Sequence, residues 1–396
     1  MERVLHMAVF LLIGSSILAA IHYYLWRRLV RDTALNRPWR KIATGILIGL
    51  AVSVPFGMAI SREAPFQVGR WISLVPYSWL GAMLLLLTLL LAADLLRLAW
   101  AAARRLRASK RDPDPTRRLA LARIAAGTAL LGAGGLTAVA AARALATLSV
   151  RRVEIPLRRL PAALDGFRIV QICDLHVGSV VGREWVERVA AQVRRLQGDL
   201  VAVTGDLVDG SPDRLRFELE PLAGLEARWG VFFVTGNHEY YSGAAEWVPE
   251  LERMGMRVLR NERVRVGDRE ESFDLIGIDD YDGEGMEPDH GPDLPGALAG
   301  RDPDREAVLL AHQPRAVHEA AELGVGLVLS GHTHGGQLWP WNHLVGLQQP
   351  YVKGLHHHGP TQIYVSEGTG VWGPPLRLGT TCEITELTLR RAGKPG

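Results

Sequence analysis

Residues 200–210 read LVAVTGDLVDG and residues 231–239 read VFFVTGNHE. In each, a short apolar, β-branched run stops at a glycine and is followed by a carboxylate or an amide, which predicts a buried strand handing a polar side chain to the loop beyond it. The pattern recurs along the second half of the chain. Phe167–Cys173 precedes Asp174-Leu175-His176, Ala307–Ala311 precedes His312, and Val325–Ser330 precedes Gly331-His332-Thr333-His334-Gly335. Phe273–Ile278, Gln362–Ser366 and Ile384–Leu389 are further predicted strands. Arg183–Leu196, Asp213–Ala227, Ala244–Met254 and Pro314–Leu323 read as amphipathic helices between them. Strands alternating with helices predict an α/β domain whose functional residues lie just past the carboxyl ends of the strands.

The polar motifs fall at those ends. Taken singly each is bland: Gly205-Asp206 reads as a turn, Gly236-Asn237-His238-Glu239 as a loop with a surface histidine, and His312 as a hydrogen-bonded core residue. Together they bring carboxylates, one amide and several imidazoles toward one crevice. Crowding and desolvating such groups is unfavourable unless cations compensate. The conjunction therefore predicts a metal site.

The ordered series D-x-H (Asp174, His176), GD-x-x-D (Asp206, Asp209), GNHE (Asn237, His238), His312 and GHTH (His332, His334) resembles the calcineurin-like metallophosphoesterase superfamily over residues 165–390. GHTHGGQLWPWN at 331–342 and GTGVWGPPLRLG at 368–379 are similar to its membrane-associated bacterial branch, which implies residence in the bacterial plasma membrane. The resemblance implies two mixed β-sheets sandwiched together and flanked by helices. It also implies two divalent cations, with Asp174, His176 and His334 on the first, Asn237, His312 and His332 on the second, and Asp206 bridging. Oxygen and nitrogen ligands without thiolate suit Mn, Fe or Zn. The implied chemistry is phosphoester hydrolysis by a hydroxide that the cation pair activates, with His238 assisting the leaving oxygen and Asp209 orienting it. Two departures stand out. Gly210 follows Asp209 where the protein phosphatase branch has arginine, and Glu367 stands where many relatives have arginine. Both point to a substrate less anionic than a phosphate monoester.

Residues 1–150 differ chemically. They hold 19 Lys and Arg against 6 Asp and Glu, while residues 151–396 hold 26 against 36. The balances of +13 and −10 make the overall +3 a poor description of either half and argue against nucleic acid as a partner. Uncharged stretches at 4–26, 42–61, 71–93 and 124–142 predict four transmembrane spans, the last rich in alanine and glycine as suits close helix packing. Residues 1–150 are thus expected to be a transmembrane region and residues 151–396 the metallophosphoesterase domain. Arg27, Arg28, Arg31, Arg37, Arg40 and Lys41 lie between spans one and two, and Arg104, Arg105, Arg107, Lys110, Arg111, Arg117 and Arg118 between spans three and four. The positive-inside rule places these loops in the cytoplasm and the catalytic domain outside it. Thr116-Arg117-Arg118 before an apolar run also resembles a twin-arginine export signal.

The remaining features read as structural. Cys173 and Cys382 lack any finger or CxxC spacing. Seven carboxylates between Asp279 and Asp293 read as a solvated loop, and Glu184, Glu187, Arg188, Arg194 and Arg195 as the wet face of a helix. His356, His357 and His358 alternate across an extended segment and cannot readily share one site. Trp339-Pro340-Trp341 reads as a loop packing element, a groove lining or a bilayer contact. The expected function is metal-dependent hydrolysis of a phosphodiester or a lipid-linked phosphate or pyrophosphate at the membrane. The alternatives are a catalytically silent membrane sensor or scaffold that keeps the metal site, and a transporter working through the spans.

Overall fold

The computed structural model describes residues 2–106, 114–268 and 271–393. The chain divides into two units: Met1–Ala64 with Trp71–Ala140, and Pro65–Arg70 with Ala141–Gly396.

The first unit is helical. It holds α1 (Glu2–Trp26), α2 (Arg37–Glu63) and most of α3 (Phe66–Leu106) and α4 (Pro115–Ala144), and a π-helical turn at Arg27–Arg31 follows α1. Among the described residues three helices are long and apolar enough to cross a membrane, at Arg37–Ser61, Phe66–Arg104 and Pro115–Ala144. The sequence predicts four. The first of those, at 4–26, falls in α1, where most of the side chains before Leu12 lie outside the description. Arg107, Lys110 and Arg111, counted in the second basic loop, also lie outside it. Several polar groups in this unit are paired: the Tyr24 hydroxyl donates to Asp94 at 2.7 Å, Arg28 meets Asp94 at 2.6 Å, and the Trp79 indole donates to His22 at 3.0 Å. Of the four glycines in α4, only Gly132 is closely approached, by Leu89.

The second unit is built on two six-stranded sheets. One contains β1 (Leu148–Leu157), β2 (Arg168–Ile172), β3 (Leu200–Thr204), β4 (Val231–Val234), β5 (Arg257–Val258) and β12 (Cys382–Arg391), in the order β1-β12-β2-β3-β4-β5. The other contains β6 (Glu262–Gly267), β7 (Ser272–Gly277), β8 (Ala307–Leu310), β9 (Leu327–Ser330), β10 (Gly354–His358) and β11 (Thr361–Val365), in the order β10-β11-β9-β8-β7-β6. Both are mixed. β12 runs antiparallel to β2, and β7 to β6, while β2, β3 and β4 are parallel, as are β7, β8 and β9.

Period-two alternation divides the strand residues between two cores. Ile169, Leu200, Ala202, Phe232 and Val234 face Phe273, Leu275, Val308, Leu310 and Leu329 in the layer between the sheets. Val170, Ile172, Val201, Val203 and Phe233 face the other way, onto Trp185, Val186, Val189 and Val193 of α5 (Arg183–Leu196). The wet face expected of α5 is present, with Glu184, Glu187, Arg188, Arg194 and Arg195 exposed. The central strands are therefore apolar on both faces, as parallel strands covered on both sides must be.

Several expectations are revised. The helix expected at Asp213–Ala227 is α6 (Pro212–Leu219) followed by a 3₁₀ turn at Glu220–Gly224. The carboxylate loop is not uniformly solvated: Asp279 is buried against Arg260 at 2.8 Å, and Asp280 is buried and accepts from Gln313 at 2.9 Å.

Candidate metal centre

Five loops leave the carboxyl ends of β2, β3, β4, β8 and β9 and deliver Asp174, Asp206, Asn237, His312 and His332 to one place. His176 and His334 arrive from the first and last of these loops. Asp174, His176 and His334 form a group whose ligand atoms all lie within 4.8 Å of one another, and Asp206, His312 and His332 form a second.

The contacts within this cluster are close. His176 Nε2 and His334 Nε2 face each other at 2.9 Å, and His334 Nε2 is 3.6 Å from Asp174 Oδ1. His332 Nδ1, His312 Nε2 and Asn237 Oδ1 are mutually 3.0 to 3.2 Å apart. Asp206 Oδ2 reaches both sides, at 3.7 Å from His176 Nε2 and 3.1 Å from His312 Nε2. The outer nitrogens are spoken for: His312 Nδ1 donates to the Thr204 carbonyl at 2.8 Å and His176 Nδ1 to Asp209 at 3.0 Å. That leaves each Nε2 lone pair aimed inward, which is how a metal-ligating histidine is normally held. Several lone pairs converging on two neighbouring points, with no thiolate among them, fit borderline divalent cations.

The motif glycines are explained by this crowding. A Cβ at Gly236 would lie 2.2 Å from Asp206 Oδ1, and one at Gly331 would lie 2.3 Å from Asp174 Oδ2. The loops themselves bend sharply: Asp174, His176, Asp206, His332 and His334 all have φ between 50° and 72°. Asp and His tolerate this left-handed region better than most residues, though it still strains the chain.

His238 stands beside the cluster. Its backbone N–H donates to Asp206 Oδ1 at 2.8 Å, and its Nδ1 bonds Asp209 Oδ1 at 2.6 Å. Burial disfavours its charged form, but the Asp206 and Asp209 carboxylates outweigh that and raise its pKa to about 9. Asp209 is itself held well below the usual carboxylate range: burial opposes ionisation, and the two imidazoles it bridges favour it more strongly. His238, His176 and Asp206 also form a group within 4.8 Å, so distance alone does not set His238 apart from the candidate ligands.

Two functional residues are not apparent from sequence reasoning. Glu239 is fully buried and accepts from the backbone N–H groups of Asp206 (2.9 Å), Leu207 (2.7 Å) and Gly236 (2.7 Å), tying two ligand loops together. Its position three residues into a helix start, after Gly236, is the available signal. Arg377 is also fully buried and donates to the carbonyls of His334, Gly368 and Gly370. It lies inside the 368–379 stretch, but nothing in that stretch marks it as internal. Glu367, standing where an arginine is expected, pairs with Lys353 at 2.8 Å and caps the Thr381 N–H.

Other singled-out residues lie elsewhere. His356 and His358 sit on edge strand β10, where His356 stacks on Tyr351 and His358 packs edge-on against His318, and among the described residues no histidine of this run joins a metal-type group. Cys173 and Cys382 are buried free thiols, and desolvation raises both pKa values. Trp339 is exposed, and the Gln337 amide links its loop to Trp372.

Comparison with known proteins agrees with this geometry. A family model described as calcineurin-like phosphoesterase matches residues 167–336. A zebrafish (Danio rerio) transmembrane protein with metallophosphoesterase domain is 35% identical over 401 residues, covering 97% of this chain and 89% of its own. An uncharacterized metallophosphoesterase of Campylobacter jejuni is 29% identical, covering 96% and 98%. One of Helicobacter pylori is 39% identical, covering 62% of this chain and 65% of its own. With three apolar helices and relatives named as transmembrane proteins, the chain is membrane-associated. It belongs to the calcineurin-like metallophosphoesterases and is a metal-dependent hydrolase of phosphoester bonds.

Proposed function

We propose that this site holds two divalent cations of the Mn, Fe or Zn class and hydrolyses a phosphodiester or a lipid-linked phosphate or pyrophosphate at the membrane. The observation that carries the two-cation reading is Asp206, whose carboxylate lies between the Asp174-His176-His334 group and the His312-His332-Asn237 group. Bound there, the cations would supply an activated water and positive charge for the phosphoryl oxygens. The chain's own residues do the rest. Asp174, His176 and His334 define one half of the pocket, and Asn237, His312 and His332 the other. Asp209 fixes the His238 ring through Nδ1, so that its other nitrogen is available to donate to the departing oxygen.

The substrate reading rests on the rim. The Trp372 ring lies 5.9 Å from that of His238 and is 53% exposed. Tyr241 flanks the same imidazole at 5.2 Å, and the adjoining loop exposes Trp339 and Leu347. Aromatic and aliphatic groups held out to solvent beside a polar pocket suit a substrate with an apolar body and a phosphate head. The positive-inside pattern supports a catalytic unit outside the cytoplasm. A reporter fused after residue 150 tests that orientation, since activity of a cytoplasm-only reporter would reverse it.

Purified full-length chain loaded with Mn²⁺ should hydrolyse an aryl phosphodiester, and Trp372→Ala should raise KM for a micellar phospholipid diester more than for the soluble aryl ester. Absence of metal-dependent hydrolysis would overturn the two-cation reading. Equal KM changes for both substrates would overturn the lipid reading alone.

A further inference from the structure

The helical unit contains a groove of about 680 Å³, within the range of pockets that take a compact ligand. Leu47 and Leu86 form its buried floor, Leu50 and Leu130 line its walls, and exposed Trp39 stands at its edge. The groove has one charged lining residue, Arg123. Arg123 Nε donates to the Thr33 carbonyl at 3.0 Å, and among the described residues no carboxylate pairs with this guanidinium. Among the described residues neither terminal nitrogen has a partner, and both are open to an acceptor from outside the protein.

We infer that this groove binds an anionic glycerophospholipid, with the phosphate on Arg123 and an acyl chain against Leu47, Leu50, Leu86 and Leu130. The surroundings select that occupant. All three membrane-length helices, α2, α3 and α4, contribute lining residues, so the medium around an open apolar groove is acyl chain. An unpaired arginine at the groove matches a phosphate by charge and by its planar fork of donors. Arg37, Arg40 and Lys41 lie in the same first turns of α2 as the lining residues Trp39 and Ala43, adding positive charge. A basic pocket between membrane helices favours an anionic head over a zwitterionic one, which brings its own cation. Trp39 is placed as aromatic residues are at membrane interfaces. The inference is independent of the catalytic reading, because every lining residue belongs to the helical unit.

The test is native mass spectrometry of the full-length chain released from mixed micelles of dioleoylphosphatidylglycerol and dioleoylphosphatidylcholine. One phosphatidylglycerol per chain should be retained, preferred over phosphatidylcholine by roughly fivefold or more, the scale of one arginine near an anionic head. Arg123→Gln should bring that preference close to unity, while Arg123→Lys keeps it. Leu50→Trp, which narrows the apolar part without touching the cation, should lower retention of both lipids and serves if Arg123→Gln does not fold. Equal retention of the two lipids by the unsubstituted chain, or a preference unchanged in Arg123→Gln, would overturn the inference. So would displacement of the bound lipid by glycerol phosphate at equal concentration, because the head alone would then account for binding.

Discussion

Replacing Asp209 tests the division of labour in the site, because one carboxylate oxygen serves two histidines: Oδ1 takes His176 Nδ1 at 3.0 Å and His238 Nδ1 at 2.6 Å. Asp209→Asn removes the charge and, with its oxygen in the place of Oδ1, leaves a neutral acceptor within reach of both rings. A hydrogen bond to a charged group contributes about 1.5–3 kcal/mol and a neutral one about 1 kcal/mol, so loss of the charge should lower kcat roughly 2- to 30-fold. His238→Ala, which deletes the proposed leaving-group donor outright, should lower kcat by about 10²–10⁴-fold with metal retained. If Asp209 acts on turnover through His238, the two losses do not multiply. In the His238→Ala background, Asp209→Asn should then lower kcat by no more than about threefold at saturating metal. The His176 bond should appear in a different measurement, as a roughly 10- to 100-fold weaker metal affinity, because it orients a proposed ligand. Initial rates on bis(4-nitrophenyl) phosphate, with metal content by mass spectrometry, measure all four corners of the cycle. Multiplicative losses in kcat at full metal loading would refute the argument, and Asp209 would have to touch the reaction by some other route.

Three further outcomes follow from contacts already described. Gly236→Ala puts a methyl 2.2 Å from Asp206 Oδ1, so metal affinity should fall by at least about tenfold with secondary structure intact by circular dichroism; unchanged metal content under limiting metal would count against Asp206 as the bridge. Glu239→Gln turns an amide nitrogen toward one of three backbone N–H groups, and an unsatisfied buried donor costs about 1–3 kcal/mol, so both the melting temperature and kcat should drop. Exhaustive chelation should abolish hydrolysis and lower the melting temperature, with Mn²⁺ restoring both; full activity in metal-free protein would contradict a metal-dependent reaction.

How much was legible depended on whether the determining interaction is local. The central strands β2, β3, β4, β8 and β9 are apolar on both faces, so their runs stand out in any reading, and the residues that follow them carry the candidate chemistry. Edge and short strands did not stand out. β10 reads Gly-Leu-His-His-His, and β1 carries Arg151 and Arg152 on exposed positions, so neither shows an apolar run. The insertion of β12 between β1 and β2 pairs residues more than 200 apart, and no local pattern encodes that. Asp279 and Asp280 read as solvated for the same reason, since their partners Arg260 and Gln313 arrive from other segments. Arg377 shows the limit most plainly. A lone arginine between leucines looks like a surface residue until three carbonyls from two loops are found around it.

The left-handed backbone at Asp174, His176, Asp206, His332 and His334 explains why such loops need a rigid frame. Each strained position costs on the order of 1 kcal/mol, so five together approach the whole stability of an ordinary domain. The loops hold because they are laced to one another: Asp174 N–H donates to the Gly205 carbonyl, His176 N–H to that of Asp206, Gly331 N–H to that of His312, and His332 N–H to the Asp174 carboxylate. Glu239 and Arg377 add buried charge-assisted bonds to the same backbone, one from each side of the cluster. Strain of this kind turns side chains inward that an unstrained loop would leave pointing to solvent; the lacing offsets it, and a cation bound by their lone pairs would offset it further. The metal centre and the lacing around it therefore form one cooperative structure, in which loss of a buried tie such as Glu239 should weaken metal binding even though it supplies no ligand.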